Sequence, residues 1–340
     1  MHEILRTLNR QVRVEPEPVR ANDLEASVPV SVIVTACADS DALRTTLREV
    51  TRQARAAGGD CCLVVNTARD AMSASSRDAL GCLVDSLIFE EKPGKSNALN
   101  AAIAEVPGRV VAFTDDDASP SASWLQHLLA AFDVSEGPAD APVVGVGGPV
   151  LPVLPRETTP GWYRRFLGRV PTSFLGPKQH LGNQSKDYEL APGSDLGSVP
   201  LGANCAWLRS SLLQYPYRPE LGPNRDTGMR GGEDTCLALQ VMSAGGRVRY
   251  EPMARVYHPV DPRRMTRDYA LEGHRINAIE YVHLLSILGW NLPTRGELEQ
   301  EIEKAQLGVL NRLLGGADWI LRKRMRCKFF QTVLAEAHGG

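Results

Sequence analysis

The sequence predicts an α/β fold: a mostly parallel central sheet flanked by helices, with a C-terminal helical extension. Three observations point there. Apolar, β-branched runs alternate with amphipathic stretches from residue 29 to residue 114. Those runs are apolar throughout, not at every second position, as strands buried on both faces must be. After residue 262 the pattern is helical to the end.

Composition sets the outer bounds. A chain of 340 residues with 43% hydrophobic and 23% charged residues buries a sizeable core. Its net charge of -2 excludes a protein that coats nucleic acid, and no nucleic-acid partner is expected. Seven cysteines, at 37, 61, 62, 82, 205, 236 and 327, form no C-x-x-C pair, so neither a zinc knuckle nor a redox pair is suggested. Their odd number and the lack of a secretory leader predict a reducing, cytoplasmic setting. The longest apolar stretches, such as 282–290, fall short of a membrane span.

In chain order, a polar arm rich in Glu and Pro occupies residues 1–28. PVSVIVTA (29–36) is the first strand, and the amphipathic stretch 41–57 the first helix. Strands at 61–66, 86–90 and 109–114 then alternate with helices at 73–83 and 96–105. A helix at 124–132 and a strand at 142–150 follow. From 151 to 199 the periodicity loosens among Pro and Gly, which predicts a functional loop or lid. Order returns at 199–208, in a helix at 233–244 and in strands at 247–250 and 254–258. A T-x-x-E capping box, Thr294 with Glu297, opens a helix that carries Leu298, Ile302, Ala305, Val309 and Leu313 on one face.

The sharpest motif is VVAFTDDDASPSASWL, in which an apolar strand ends directly in Asp115, Asp116 and Asp117. Adjacent carboxylates repel, so their place at a strand end suits a waiting cation, such as a hard divalent ion shared with diphosphate oxygens. A solvated acidic turn capping the next helix is the plain alternative. In EKPGKSNALNAAI, Lys92, Lys95, Asn97 and Asn100 surround a Pro-Gly turn at a helix N-terminus, a ready anion site. It is no P-loop, since the required glycine is replaced by Phe89. RGGEDTCLALQ sets Glu233 and Asp234 in a first helical turn, where simple capping is the plain reading. ARVYHPV presents His258 at a strand terminus, and Trp207 either lines a binding site or fills the core.

Taken together and in order, PVSVIVTA, LVVNTARD, EEKPGKSNALNAAI, VVAFTDDDASPSASWL, PLGANCAWLRSSL and GGEDTCLALQVMSAGGRVRYEP resemble the GT-A glycosyltransferases of family 2 over residues 29–260. The resemblance implies a Rossmann-like GT-A domain with a nucleotide-sugar-binding half at 29–150, an acceptor-binding and catalytic half at 151–262, and a helical extension at 263–340. It implies that Asp115 and Asp117, with His258, contact Mn²⁺ or Mg²⁺, and that Asp115 and Asp116 also face the donor with Lys95. It makes Asp234 the base, with Glu233 as its alternate, in an inverting transfer to an acceptor hydroxyl. That acceptor is a glycan, a lipid-linked molecule or a small molecule.

Where the family commonly has Pro-x-x-Asn after the first strand, this chain has Thr35, Ala36, Cys37 and Ala38. Where an acidic residue commonly closes the second strand, Val65 is followed by Asn66. Thr35 and Asn66 are therefore the expected donor contacts, with a UDP-sugar as the default donor and GDP- or dTDP-sugars as alternatives.

The C-terminal run WILRKRMRCKFF interleaves five basic residues with bulky apolar ones. It reads either as a peripheral contact with the inner face of a membrane or as a helix packed on its own domain. Two other readings compete with transfer. One is a GT-A scaffold that serves only as a binding subunit. The other is a sugar-1-phosphate nucleotidyltransferase, whose glycine-rich first loop is missing from VTACADSD. A dinucleotide-binding dehydrogenase fits poorly too, because GVGGPV leads into no helix.

Overall fold

The computed structural model describes residues 28–133, 142–155, 157–166, 179–189, 199–306 and 317–339. The arm at 1–27, together with Val309 and Leu313, lies outside the described residues.

The first third alternates as expected: β1 (Val28–Ala36), α1 (Asp41–Ala56), β2 (Asp60–Val65), α2 (Ala74–Gly81), β3 (Ser86–Phe89), α3 (Lys95–Glu105) and β4 (Gly108–Asp115). Helix α1 starts where the Ser40 hydroxyl accepts the Leu43 amide, and it buries Leu43, Leu47, Val50 and Ala54. β3, β2, β1 and β4 lie side by side and parallel, with the interior of β1 inaccessible to solvent on both faces.

Next come β5 (Ser119–Pro120), α4 (Trp124–Ala130), β6 (Val143–Gly147) and β7 (Val150–Val153). The single strand expected at 142–150 is thus two strands in two sheets. Gly148 and Pro149 make the break: proline offers no amide to a ladder, and the Ala254 carbonyl occupies the space a Cβ on Gly148 would need. Where described, the loose region contains α5 (Gly161–Phe166) and β8 (Lys186–Asp187), and Gln179 ties it down by donating to Val199 O and accepting from the Tyr188 hydroxyl.

β9 (Cys205–Leu208) and α6 (Arg209–Gln214) follow, then α7 (Glu233–Ser243), β10 (Arg247–Tyr250) and β11 (Val256–Pro259). Within the ordered stretch expected at 199–208, residues 202–203 turn and only the last four residues are extended. Among the described residues the main sheet has eight strands in the order β3-β2-β1-β4-β9-β6-β10-β8, with β9 antiparallel to both its neighbours. Trp207 on β9 lies across Gly145 on β6, where a Cβ would sit 2.4 Å from the indole, so this tryptophan fills the core. A second sheet, β5-β11-β7, stands beside the first.

The chain ends in α8 (Arg267–Ile287), α9 (Arg295–Ala305) and α10 (Ala317–His338). The Thr294–Glu297 capping box forms as predicted. Helix α10 buries Phe329, Phe330 and Val333 against Tyr281, Leu285 and Leu298, and Leu321 and Met325 against Tyr163 and Phe166. Its cations are used locally: Arg322 covers the Phe166 ring, Lys323 donates to Lys304 O, and Arg326 pairs with the buried Glu301. The own-domain reading of this helix therefore accounts for its apolar face. Among the described residues no helix is long and apolar enough to cross a membrane.

Candidate active site

Thr35 and Asp115 are cross-strand partners at the carboxyl ends of β1 and β4. The three-aspartate turn continues at once into β5, whose two residues pair with Val256 and Tyr257 of β11. That short ladder delivers the next residue, His258, to the turn. Its Nε2 lies 3.2 Å from Asp115 Oδ2 and 3.3 Å from Asp117 Oδ1, while Nδ1 lies 2.9 Å from the Pro259 carbonyl.

A carbonyl can only accept, so Nδ1 carries a proton. A neutral ring would then aim the Nε2 lone pair at two carboxylate oxygens, an attractive arrangement only if a proton or a cation stands between them. Burial works against a charged ring, yet the Asp115 hydrogen bond and the charges of Asp115 and Asp117 raise the His258 pKa. Two carboxylates and a backbone-anchored imidazole also form a donor set suited to Mn²⁺ or Mg²⁺. Among the described residues no three such groups already stand at coordinating positions.

Lys95, the first residue of α3, points into the same site, with Nζ 2.7 Å from Asp115 Oδ1. Burial would raise the Asp115 pKa, but the Lys95 charge and His258 hold it well below the usual carboxylate range. Asp116 is pushed to about 6 by burial and by Asp117 and Asp115. Asp117 is also raised, by burial, against the pull of His258. The anion site expected at the start of α3 is closed at its first amide, because the Lys95 N–H donates to the Pro223 carbonyl.

Asp234 approaches from α7. Gly202 N–H donates to its Oδ2 at 2.7 Å, and its Oδ1 is buried without a partner. Glycine is required at 202, since a Cβ there would lie 2.6 Å from both Asp234 oxygens. Asp234 lines a narrow cleft with Ile33, Thr35, Lys95, Leu99 and Phe113; Glu233 is buried behind it, its Oε2 also without a partner. Burial raises both carboxyls, and the Lys95 charge opposes the rise in each.

The sequence-predicted residues Thr35, Lys95, Asp115, Asp117, Asp234, Glu233 and His258 thus gather at one edge of the sheet, with Asp116 in the same turn. The Asn66 side-chain amide donates to Glu90 O and Lys92 O and accepts the Gly94 amide, so it shapes the lysine loop. Sequence reasoning missed Gly202 and Tyr217, which line the same cleft, and Asn204. Asn204 is fully buried, receives the Trp124 indole N–H and donates to Pro149 O and Ala254 O, joining three connections around the site. The one available signal was a polar residue in the otherwise apolar GANCAWL.

Residues 31–175 match Glycosyl transferase family 2. A pre-mycofactocin glycosyltransferase of Mycobacterium tuberculosis is 29% identical over 188 residues, which are 55% of this chain and 34% of the relative. The match thus spans about a third of the curated relative's length. A solved mannosyltransferase of Pyrobaculum calidifontis, in complex with GDP-Man and Mn²⁺, shares the fold with a TM-score of 0.54 at 14% identity, over 99% of this chain and 94% of that one. GalNAc-T7 with UDP, GalNAc and Mn²⁺ does so with a TM-score of 0.51 at 13% identity, over 92% of this chain and 57% of that one.

Proposed function

We propose, from the match of residues 31–175 to Glycosyl transferase family 2 and from the shared GT-A fold, that the chain is a metal-dependent, inverting glycosyltransferase. It moves a sugar from a nucleotide diphosphate donor, UDP-linked by default and GDP- or dTDP-linked otherwise, to an acceptor hydroxyl. The observation that carries this reading is that Asp234, whose buried Oδ1 has no partner, lines a cleft with Lys95, which is itself paired with Asp115. The GDP-Man and UDP complexes of the two structural neighbours support a nucleotide-sugar donor, and their Mn²⁺ supports the cation.

In this reading Asp234 Oδ1 accepts the proton of the acceptor hydroxyl while Gly202 N–H holds Oδ2 still. The acceptor oxygen bonds to the anomeric carbon, the carbon–diphosphate bond breaks on the opposite face, and the configuration inverts. Asp234 is favoured over Glu233 because it lines the cleft. Asp115, Asp117 and His258 are the residues that would hold Mn²⁺ or Mg²⁺, which when bound supplies positive charge to the departing diphosphate. The donor half then spans 29–150, with the lysine loop and the aspartate turn, and the acceptor half spans 151–262, with the base and His258.

Calorimetric titration of UDP, GDP and dTDP with Mn²⁺, with Mg²⁺ and with EDTA tests the proposal. Tight binding of one nucleotide only in the presence of metal supports it and names the donor class. Binding of none under any condition overturns it in favour of a scaffold without chemistry.

A further inference from the structure

The turn ahead of the Glu233–Asp234 pair is held by a residue from the C-terminal helical extension, well outside the stretch that matches the family. Glu280, on α8, places one oxygen, Oε1, 2.7 Å from the Arg230 amide and 2.8 Å from the Gly231 amide. The carboxylate is buried, 7% exposed, so both bonds form in a setting where water competes poorly. The Arg230 guanidinium covers the face of Tyr269, also on α8. The same helix therefore grips both the backbone and the side chain of this turn.

Beyond Glu280, the turn is held through the segment that it closes. The residue before α7 is Gly232, in the left-handed region at φ +94°, and it provides no capping side chain. Segment 221–232 is tied on its far side to the lysine loop: Ser96 donates to Leu221 O, the Lys95 amide to Pro223 O, and the Asn224 side chain to Pro93 O. Gly222 N–H closes the segment on Gly231 O. The chain thus runs from Lys95 through this loop to Asp234, with its last anchor in α8.

We infer that Glu280 is a positioning residue, holding the 230–231 turn so that Asp234 meets the acceptor beside Lys95. The inference rests on Asp234 being the base of the proposed transfer. Glu280 itself touches no reacting atom. It acts on the barrier through the placement of α7, so its loss is felt in turnover and not in donor affinity.

The test uses the full chain with Glu280→Ala and Glu280→Gln, read by nucleotide release from the donor, by hydrogen exchange at residues 229–234 and by thermal melting. Glu280→Ala is expected to speed exchange at 229–234 by about tenfold while β1 keeps its protection. Its kcat is expected to fall on the order of 10- to 100-fold with donor KM changed by less than about twofold, as a small misplacement of a catalytic group does. Glu280→Gln keeps an oxygen that accepts both amides and is expected to recover most of the lost kcat.

Unchanged exchange overturns the inference, and so does faster exchange with kcat intact. Equal losses in both variants that follow melting temperature, with KM rising alongside, also overturn it, because they mark a residue needed only for folding. A wild-type chain that releases nucleotide from no donor would sink the glycosyl-transfer reading instead. The exchange measurement would then decide the anchoring role alone, faster exchange supporting it and unchanged exchange overturning it.

Discussion

Lys95 Nζ and Asp115 Oδ1 stand 2.7 Å apart, joining the first residue of helix α3 to the last residue of strand β4. The side chains are 18% and 24% exposed, so the pair is only thinly screened by water. Lys95 is also the cation that the Asp234 and Glu233 carboxyls sense. Lys95→Met should therefore lower stability by about 2–3 kcal/mol, the effect of leaving buried carboxylates uncompensated. Urea unfolding of the two proteins, compared at one pH, measures it.

Asp234 and Glu233 are adjacent in sequence but differ in access. Asp234→Asn should lower kcat by about 10³-fold, the range of a lost general base, with nucleotide affinity held within about threefold. Glu233→Gln should leave far more activity. Equal losses from the two variants would contradict the assignment of Asp234.

Glu233 makes a separate prediction about stability. Burial raises its folded-state pKa well above the unfolded value, so the folded chain binds the proton more tightly. Its proton-linked stabilisation is complete below the unfolded pKa and is lost as pH rises through the folded one. Glu233→Gln removes that loss. Its melting temperature should match wild type near about pH 4 and exceed it by about 2 °C above about pH 7, followed by calorimetry across that range.

Gly202→Ala would drive a methyl group to 2.6 Å from both Asp234 oxygens and displace the amide that holds one of them. A fall in kcat of about 100-fold is expected, with stability lowered by about 1–3 kcal/mol. Steady-state kinetics beside a denaturation curve separates the two effects.

His258→Ala should weaken metal-dependent nucleotide binding by about 10- to 100-fold and leave any binding in EDTA unchanged. The calorimetric series already described reads it directly. A loss that is the same with metal and with EDTA would mean that His258 touches the nucleotide and not the cation.

Much of this site was legible before any coordinate. Asp115 to Asp117 stood out because an apolar run ended in them, and strand ends gather at one edge of a parallel sheet. Strand β9 was harder: four apolar residues carry no direction, so its antiparallel course emerges only from packing against β4 and β6. β5, two residues long, gives no periodic signal at all, although it joins the aspartate turn to the strand carrying His258. Asn66 is read as a donor contact from its position after β2. Its three hydrogen bonds depend on the path of a loop some 26 residues later, which local patterning does not encode.

The place of β9 bears on how the chain can be made and trimmed. β4 has β1 on one side and β9 on the other, and β9 is synthesised about ninety residues after β4 ends. Until then a nascent chain carries an apolar strand with an open edge, the situation in which neighbouring polypeptides add on and aggregate. A fragment cut at residue 175, where the family match stops, would keep that edge open permanently. One cut beyond Leu208 would close it.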